Sequence, residues 1–240
     1  METVSVIIPV HNHEQFIGET IESVMNQSCP HTQIIVVDDG STDGTRNVLE
    51  TYGDRIEVIR QMNAGVVAAR NTGINKATGD YVCILDCDDL FLPNKVELQL
   101  AVFRNRPDVG LVHTGAMVER KTDTGWETWY TYIPVNFFTR EACIKALLRS
   151  NLIVCSTVMV KRELFSQVGL FDDTYRYNGE DYDMWLRLLT RCNFESVPQA
   201  LLKYRWHGGN MSQYTDPSLI RRVQIEGAKR FGRDIPKRSL

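Results

Sequence analysis

The sequence predicts an α/β protein with a mostly parallel sheet flanked by helices, and three observations carry that prediction. Short apolar, β-branched runs recur early in the chain, at Val4–Val10, Gln33–Asp38, Ile56–Arg60 and Asp80–Leu85. Segments with helical spacing of apolar residues separate them, and such alternation builds right-handed parallel sheets. The runs are apolar at nearly every position, as strands covered on both faces are.

Each element has its own signal. After VSVIIPV, the segment HNHEQFIGETIESVMNQ places Phe16, Ile17, Thr20, Ile21, Val24 and Met25 at helical spacing. QIIVVD runs into DDGSTDGT, where Gly, Ser and Asp make a turn and Ser41 or Asp43 caps the helix DGTRNVLETY. A helix over Val66–Lys76 follows the third run, and the fourth closes on Asp86, Asp88 and Asp89. Beyond Pro93 the pattern predicts a helix (NKVELQLAVFRN), a strand Val109–His113 and an exposed aromatic hairpin or loop over Thr114–Tyr132. A helix at Arg140–Arg149, a strand at Thr157–Val160 and an amphipathic helix Asp181–Cys192 complete the pattern.

The chain is long enough for one large domain with a smaller lobe, and its composition, 43% apolar and 24% charged, is that of a globular protein. Its net charge of −3 provides no basic field for nucleic acid. No apolar run is long enough to span a bilayer, and the N-terminus carries no secretory pattern. The six cysteines are scattered without a CxxC pair and read as reduced, buried fillers, as in a cytoplasmic protein. The tail, 215–240, is basic: Arg221, Arg222, Lys229, Arg230, Arg233, Lys237 and Arg238 outnumber Asp216, Glu226 and Asp234. It reads as a solvated helix face, with peripheral contact to an anionic membrane or a partner as the alternative.

Ligands of parallel α/β sheets sit at the carboxyl ends of the strands, which brings Pro9–Asn12, Asp38–Ser41 and Asp86–Asp89 to one rim. An Asp-x-Asp edge at Asp86 and Asp88 suits a divalent cation shared with a diphosphate, because Mg²⁺ takes one or two carboxylates plus phosphate oxygens. The same letters fit a phosphatase pair, Asp86 as nucleophile and Asp88 as acid–base; Asp89-Leu90-Phe91 then stands where that motif continues with a small pair. A nucleotidyltransferase would carry a glycine-rich phosphate loop, and no glycine precedes Gly18. A non-catalytic nucleotide-binding protein is the third alternative. In DDGSTD a carboxylate can accept from a pyrimidine N–H. Arg70 either meets a phosphate or base carbonyl through its planar fork or forms a surface salt bridge. Glu180-Asp181 opens a helix whose N-terminus favours the ionised carboxylate, which makes the pair a candidate general base. His207, in YRWHGG, is a metal ligand or a loop hydrogen-bond partner. Trp126, Trp129, Tyr130, Tyr132 and Tyr177 stack on a sugar face or, equally, serve as core or dimer contacts.

The ordered set SVIIPVHN, VVDDGSTDGT, NAGVVAARNTGI, ILDCDDLFLP, VGLFDD, GEDYDMWLRL and YRWHGG resembles the family 2 inverting glycosyltransferases of GT-A fold, over roughly residues 3–212. The resemblance implies transfer of a sugar from a nucleotide-sugar donor, a UDP-sugar first, to an acceptor hydroxyl on a glycan or lipid-linked saccharide, with inversion, in cell-surface polysaccharide synthesis. It implies a nucleotide-sugar-binding half over 1–113 and an acceptor and catalytic-base half over 114–214, cytoplasmic or at the inner membrane face, with a homodimer as one option. Pro9, Val10 and Glu14 then line the nucleoside pocket, Asp39 accepts from the uracil N–H, and Arg70 lies near the base or diphosphate. Asp86 contacts ribose or donor sugar, Asp88 holds Mn²⁺ or Mg²⁺, and His207 completes the metal or diphosphate site. Asp181 is the catalytic base with Glu180 beside it. His11-Asn12 stands where the family often has Tyr-Asn. Arg205-Trp206 lacks the Gln of the processive synthases' QxxRW motif, which points to single addition.

Overall fold

The computed structural model describes residues 2–29, 32–137, 139–175, 178–214 and 216–233. Its first part alternates strand and helix as expected: β1 (Val4–Val10), α1 (Ile17–Met25), β2 (Thr32–Asp38), α2 (Thr45–Glu50), β3 (Glu57–Arg60), α3 (Val66–Lys76) and β4 (Tyr81–Ile84). These four strands are parallel in the order β3-β2-β1-β4. Both faces are covered. Ile7, Ile35 and Val37 pack into one apolar core with α3, whereas Val6, Ile8 and Val36 pack into another with α1.

The chain then adds β5 (Leu90–Phe91), α4 (Lys95–Asn105), β6 (Val109–Thr122), β7 (Gly125–Tyr132), α5 (Arg140–Leu147), β8 (Met159–Lys161), α6 (Glu163–Val168), α7 (Glu180–Leu188), β9 (Asn193–Trp206) and α8 (Pro217–Arg230). The sheet continues from β4 through antiparallel β8 to β6, β9 and β5, with β7 paired to β6. The segment predicted as strand Val109–His113 is the first part of one long strand, β6, which runs on past residue 113 to Thr122. β6 starts in the main sheet and ends beside β7 in the lobe.

The bend between those parts sits at Gly115. There β6 and β9 lose register, so that Thr114 pairs with Val197 and Gly115 with Ala200. Pro198 and Gln199 bulge outward, as a proline within a strand must. A Cβ on Gly115 would lie 2.3 Å from the Tyr132 carbonyl oxygen and 3.0 Å from that of Gln199. Only glycine fits this crossing.

The described part of the basic tail, residues 216–233, is docked on the domain. α8 buries Val223, Gln224, Gly227 and Ala228, and a Cβ on Gly227 would meet Leu186 of α7 at 2.6 Å. Arg230 donates to the buried Asp183 at 2.8 Å, and Arg233 bonds Glu141. The expectation of a solvated helix therefore holds for one face only. Lys237 and Arg238 lie outside the described residues. No described helix is long and apolar enough to cross a membrane.

Candidate active site

Strand order reverses between β1 and β4, and the two part beyond Ile7 and Leu85. Pro9 sits just past that split. The carbonyls of Ile7 and Val10 point to opposite neighbours, β4 and β2, so position 9 faces the gap where β4 has ended. A residue without an N–H is tolerated there. A cavity of about 1210 Å³ opens at this crevice, lined by Pro9, Val10, Asp39, Arg70, Asp86, Asp88, Glu180 and Asp181 among others. Reversal points of this kind are where open α/β sheets bind ligands.

Asp39 is nearly fully buried. Its Oδ1 accepts from Gln61 Nε2 at 2.7 Å and the Ala64 N–H at 2.9 Å, and its Oδ2 from the Gly65 N–H at 2.8 Å. A carboxylate offers about four acceptor positions, so three bonds clamp the loop before α3 and leave capacity on Oδ2 at the cavity wall. Glu14 does not line this cavity, contrary to expectation. Its Oε2 accepts from the Gly44 N–H at 2.6 Å, while its own N–H donates to Asp43. Glu14 thus caps α2, because an unpaired helix N-terminus attracts a carboxylate.

Arg70 is neither a surface residue nor a free cation. It is 4% exposed, with Nη2 donating to Asp86 Oδ1 at 2.8 Å and Nη1 to Glu180 Oε1 at 2.7 Å. The two neighbouring carboxylates hold its pKa well above the ordinary value against the opposing effect of burial. Asn71 fixes the adjacent segment, exchanging 2.9 Å bonds with both backbone groups of Phe171, whose ring lies 5.7 Å from the guanidinium. Glu180 is thereby an anchor for Arg70 rather than a second free base. Asp86, held by Arg70 and by its backbone N–H to Ser156 Oγ at 3.1 Å, is poorly placed as a phosphatase nucleophile.

Asp181 stands on the first turn of α7, after Asn178 and Gly179 in left-handed conformations with φ of 82° and 107°. It accepts from Asn151 Nδ2 at 3.2 Å and the Tyr182 N–H at 2.6 Å. Burial first, and the Glu180 charge second, push its pKa up to about 7. The helix N-terminus favours the ionised form of this group. Desolvation and a like charge outweigh that contribution, as they do when a carboxylate leaves bulk water.

The Asp86–Asp89 loop ends in a second cluster. His207 Nε2 donates to Asp88 Oδ2 at 2.9 Å, and Asn210 Nδ2 lies 3.3 Å from the same oxygen. Sequence reasoning passed over His13. Its Nδ1 donates to the His11 carbonyl at 2.8 Å, and ligand atoms of His13, Asp88 and His207 lie within 4.8 Å of one another. One carboxylate and two imidazoles in that space fit a divalent cation. Arg205, which the sequence raised only through the QxxRW comparison, supports the loop from behind. It is 1% exposed, its Nε bonds the Asp88 carbonyl, and its Nη1 donates to Glu19 Oε2 at 2.5 Å. Asp89 accepts from the Arg205 N–H at 3.1 Å; burial and its two aspartate neighbours raise its pKa well above the usual range. Cys83 and Cys87 are buried fillers, as expected.

The aromatic residues divide. Tyr130 and Tyr132 line the cavity, with Tyr204 and Trp206 of β9. Trp126 packs on Phe16 at 6.2 Å and beneath Arg205. Trp129 is exposed, and Tyr177 lies outside the described residues.

Comparison with known proteins identifies the family and the fold. Residues 5–169 match the family model described as Glycosyl transferase family 2. An uncharacterized glycosyltransferase of Rickettsia typhi, RT0329, is 34% identical over 228 residues, 93% of this chain and 69% of that protein. TuaG of Bacillus subtilis, named as a candidate teichuronic acid biosynthesis glycosyltransferase, is 35% identical over 87% of this chain and 81% of its own length. Among solved structures, S. aureus TarS in complex with UDP superposes with a TM-score of 0.71 at 20% identity, covering 98% of this chain and 67% of that one. A TarS complex with UDP-GlcNAc matches equally well, with a TM-score of 0.71 over 98% of this chain and 68% of that one. The curled, mostly parallel sheet is accordingly the GT-A fold, and the chain belongs to glycosyl transferase family 2.

Proposed function

We propose that this chain transfers a sugar from a nucleoside-diphosphate sugar, a UDP-sugar first, to an acceptor hydroxyl with inversion at the anomeric carbon. One observation carries the reading: Asp181, with a pKa raised to about 7, faces the same cavity as the Asp86–Asp88 edge. A general base works best when its pKa lies near the working pH. Asp181 takes the acceptor proton as that oxygen bonds to the anomeric carbon. The bond from that carbon to the diphosphate oxygen breaks on the opposite face, and its electron pair leaves with the nucleoside diphosphate. Asp88 and His207 would hold a divalent cation, which supplies charge stabilisation for the departing diphosphate.

Support for UDP comes from TarS, whose solved complexes hold UDP and UDP-GlcNAc. Support for a surface-polysaccharide acceptor comes from the teichuronic acid assignment of TuaG. Asp39 presents its remaining acceptor capacity where a pyrimidine N–H would donate, and Tyr130 and Tyr132 offer ring faces to a sugar. The test incubates the protein with a panel of UDP-sugars and Mn²⁺ and follows product by NMR. Release of UDP with an inverted anomeric configuration is expected. Release of inorganic phosphate, or retention of configuration, would overturn the proposal.

A further inference from the structure

We propose that His13 is a third protein ligand of the cation site and makes that site selective for a transition-metal ion over Mg²⁺. The inference rests on the reading of Asp88 and His207 as cation ligands and adds to it a residue and a selectivity.

The geometry around His13 is that of a histidine prepared to ligate. A carbonyl oxygen can only accept, so the 2.8 Å contact of Nδ1 with the His11 carbonyl puts the proton on Nδ1. The Nε2 lone pair is then free, which is the tautomer that a metal-bound histidine adopts when its other nitrogen is anchored. The ring is fixed at its backbone as well. The His13 N–H donates to Thr45 Oγ at 3.1 Å, and the preceding Asn12 is held at φ 56° with its Oδ1 accepting from the Thr42 N–H at 2.7 Å. Phe16 forms an apolar shelf under both imidazoles, 5.9 Å from His13 and stacked on His207 at 4.9 Å.

The spacing suits one ion. Bonds of about 2.0–2.2 Å to nitrogen and oxygen put ligand atoms at most roughly 4.4 Å apart. The ligand atoms lie within 4.8 Å of one another, so small side-chain rotations bring them to that spacing. His207 now carries its proton on Nε2, because the Gly209 N–H donates to Nδ1 at 3.1 Å. For His207 to ligate too, that proton moves to Nδ1 and Gly209 turns aside. Two consecutive glycines, Gly208 and Gly209, make such a turn yielding.

The donor set decides the metal. Mg²⁺ prefers oxygen ligands and keeps its water, whereas imidazole nitrogen favours Fe, Co, Ni and Zn, and affinity rises from Mn²⁺ towards Ni²⁺ at mixed nitrogen and oxygen sites. Two imidazoles and one carboxylate would hold such an ion through His13, His207 and Asp88, and the ion would supply charge stabilisation for a diphosphate. With Asp88 and a single histidine the site would discriminate less.

The test titrates the intact protein with Mn²⁺, Co²⁺ and Mg²⁺ by calorimetry, with and without UDP. Pulsed EPR on the Mn²⁺ form counts coordinated imidazole nitrogens. Wild type is expected to bind Mn²⁺ and Co²⁺ at least tenfold more tightly than Mg²⁺ and to show two imidazoles. His13→Ala and the more conservative His13→Gln should lose about 10–100-fold in Mn²⁺ and Co²⁺ affinity, since even outer partners of a ligand cost that much. Mg²⁺ affinity should stay nearly unchanged, and one imidazole should remain. An unchanged nitrogen count and Mn²⁺ affinity in both folded variants would overturn the role of His13. Asp88→Asn separates the two readings: if it abolishes Mn²⁺ binding while both His13 variants bind Mn²⁺ as tightly as wild type, the cation site stands and the third ligand falls. Retention of Mn²⁺ by Asp88→Asn would sink both.

Discussion

Arg70 donates to Glu180 at 2.7 Å across 110 residues of sequence, and both side chains are buried. The contact joins the helix that carries Asp181 to the helix that leads to the Asp86–Asp88 edge. Glu180 Oε2 and Arg70 Nε make no hydrogen bond among the described residues, so the pair relies on this contact and on Asp86.

Breaking such a pair from one side leaves an uncompensated buried charge. Arg70→Met should lower stability by about 3–5 kcal/mol, read by urea denaturation at neutral pH. The double variant with Glu180→Gln should cost clearly less than the sum of the two single changes, because contacting residues couple. Additive costs would show that the pair is not a unit. Arg70→Lys should rescue little, since a point charge cannot serve Asp86 and Glu180 through one planar fork.

Asp181 should give the reaction an acidic limb. The base works only when ionised, so kcat/KM should rise with pH through about 7 and level off above it. Glu180→Gln removes a charge that raises this pKa, so the limb should move to lower pH. Stability runs the opposite way. With a folded pKa above the unfolded carboxyl value of about 3.9, Asp181 contributes stability that is fully present below that value and lost as pH rises through 7. Asp181→Asn should therefore reduce transfer on the order of 10²-fold or more and raise Tm at pH 8, while still binding UDP. A variant that keeps full activity, or melts earlier at pH 8 than wild type, contradicts this assignment.

How much of this was legible in the sequence depends on where the controlling contacts lie. β1 and α3 follow their predicted spans to the residue, because apolar runs and helical spacing are local signals. β9 carried no such signal. Its Pro198 marks a bulge rather than an end, and its charged Lys203 and Arg205 find partners at Glu119 and Glu19. The rim was legible from strand order, yet the division of labour between Glu14 and His13 was not. These neighbours part company because Asn12 turns through a left-handed conformation set by Ser41 and Thr42, some thirty residues away. The upward shift of the Asp181 pKa was not legible for a similar reason, since burial is a property of the whole fold.

Gly115 should tolerate no side chain. Gly115→Ala would drive a methyl group into two backbone carbonyls, which cannot swing aside as a side chain can. Tm should fall by roughly 5–10 °C, measured by calorimetry. Gly125 offers a control: it lies on the same hairpin with open space around the site of a Cβ, though at φ 134°. Its alanine variant should show only the smaller cost of backbone strain. Equal losses at the two positions would mean that the crossing of β6 and β9 is looser than the structure shows.

Arg205 should act on the cation through Asp88 without touching it. Its guanidinium binds the Asp88 carbonyl, pairs with Glu19 and lies 4.9 Å from the Phe16 ring that also supports His207. Arg205→Met keeps much of the packing but removes the bond that holds the loop, and Glu19 is exposed enough to be solvated alone. Mn²⁺ affinity should therefore drop about 10-fold or more, beyond what any change in Tm accounts for. Glu19→Gln, which leaves the Asp88 contact in place, should bind Mn²⁺ nearly as wild type. A fall in Tm with unchanged Mn²⁺ affinity in Arg205→Met would make Arg205 a packing residue only. The predicted pattern would make it a positioning residue for the leaving-group site.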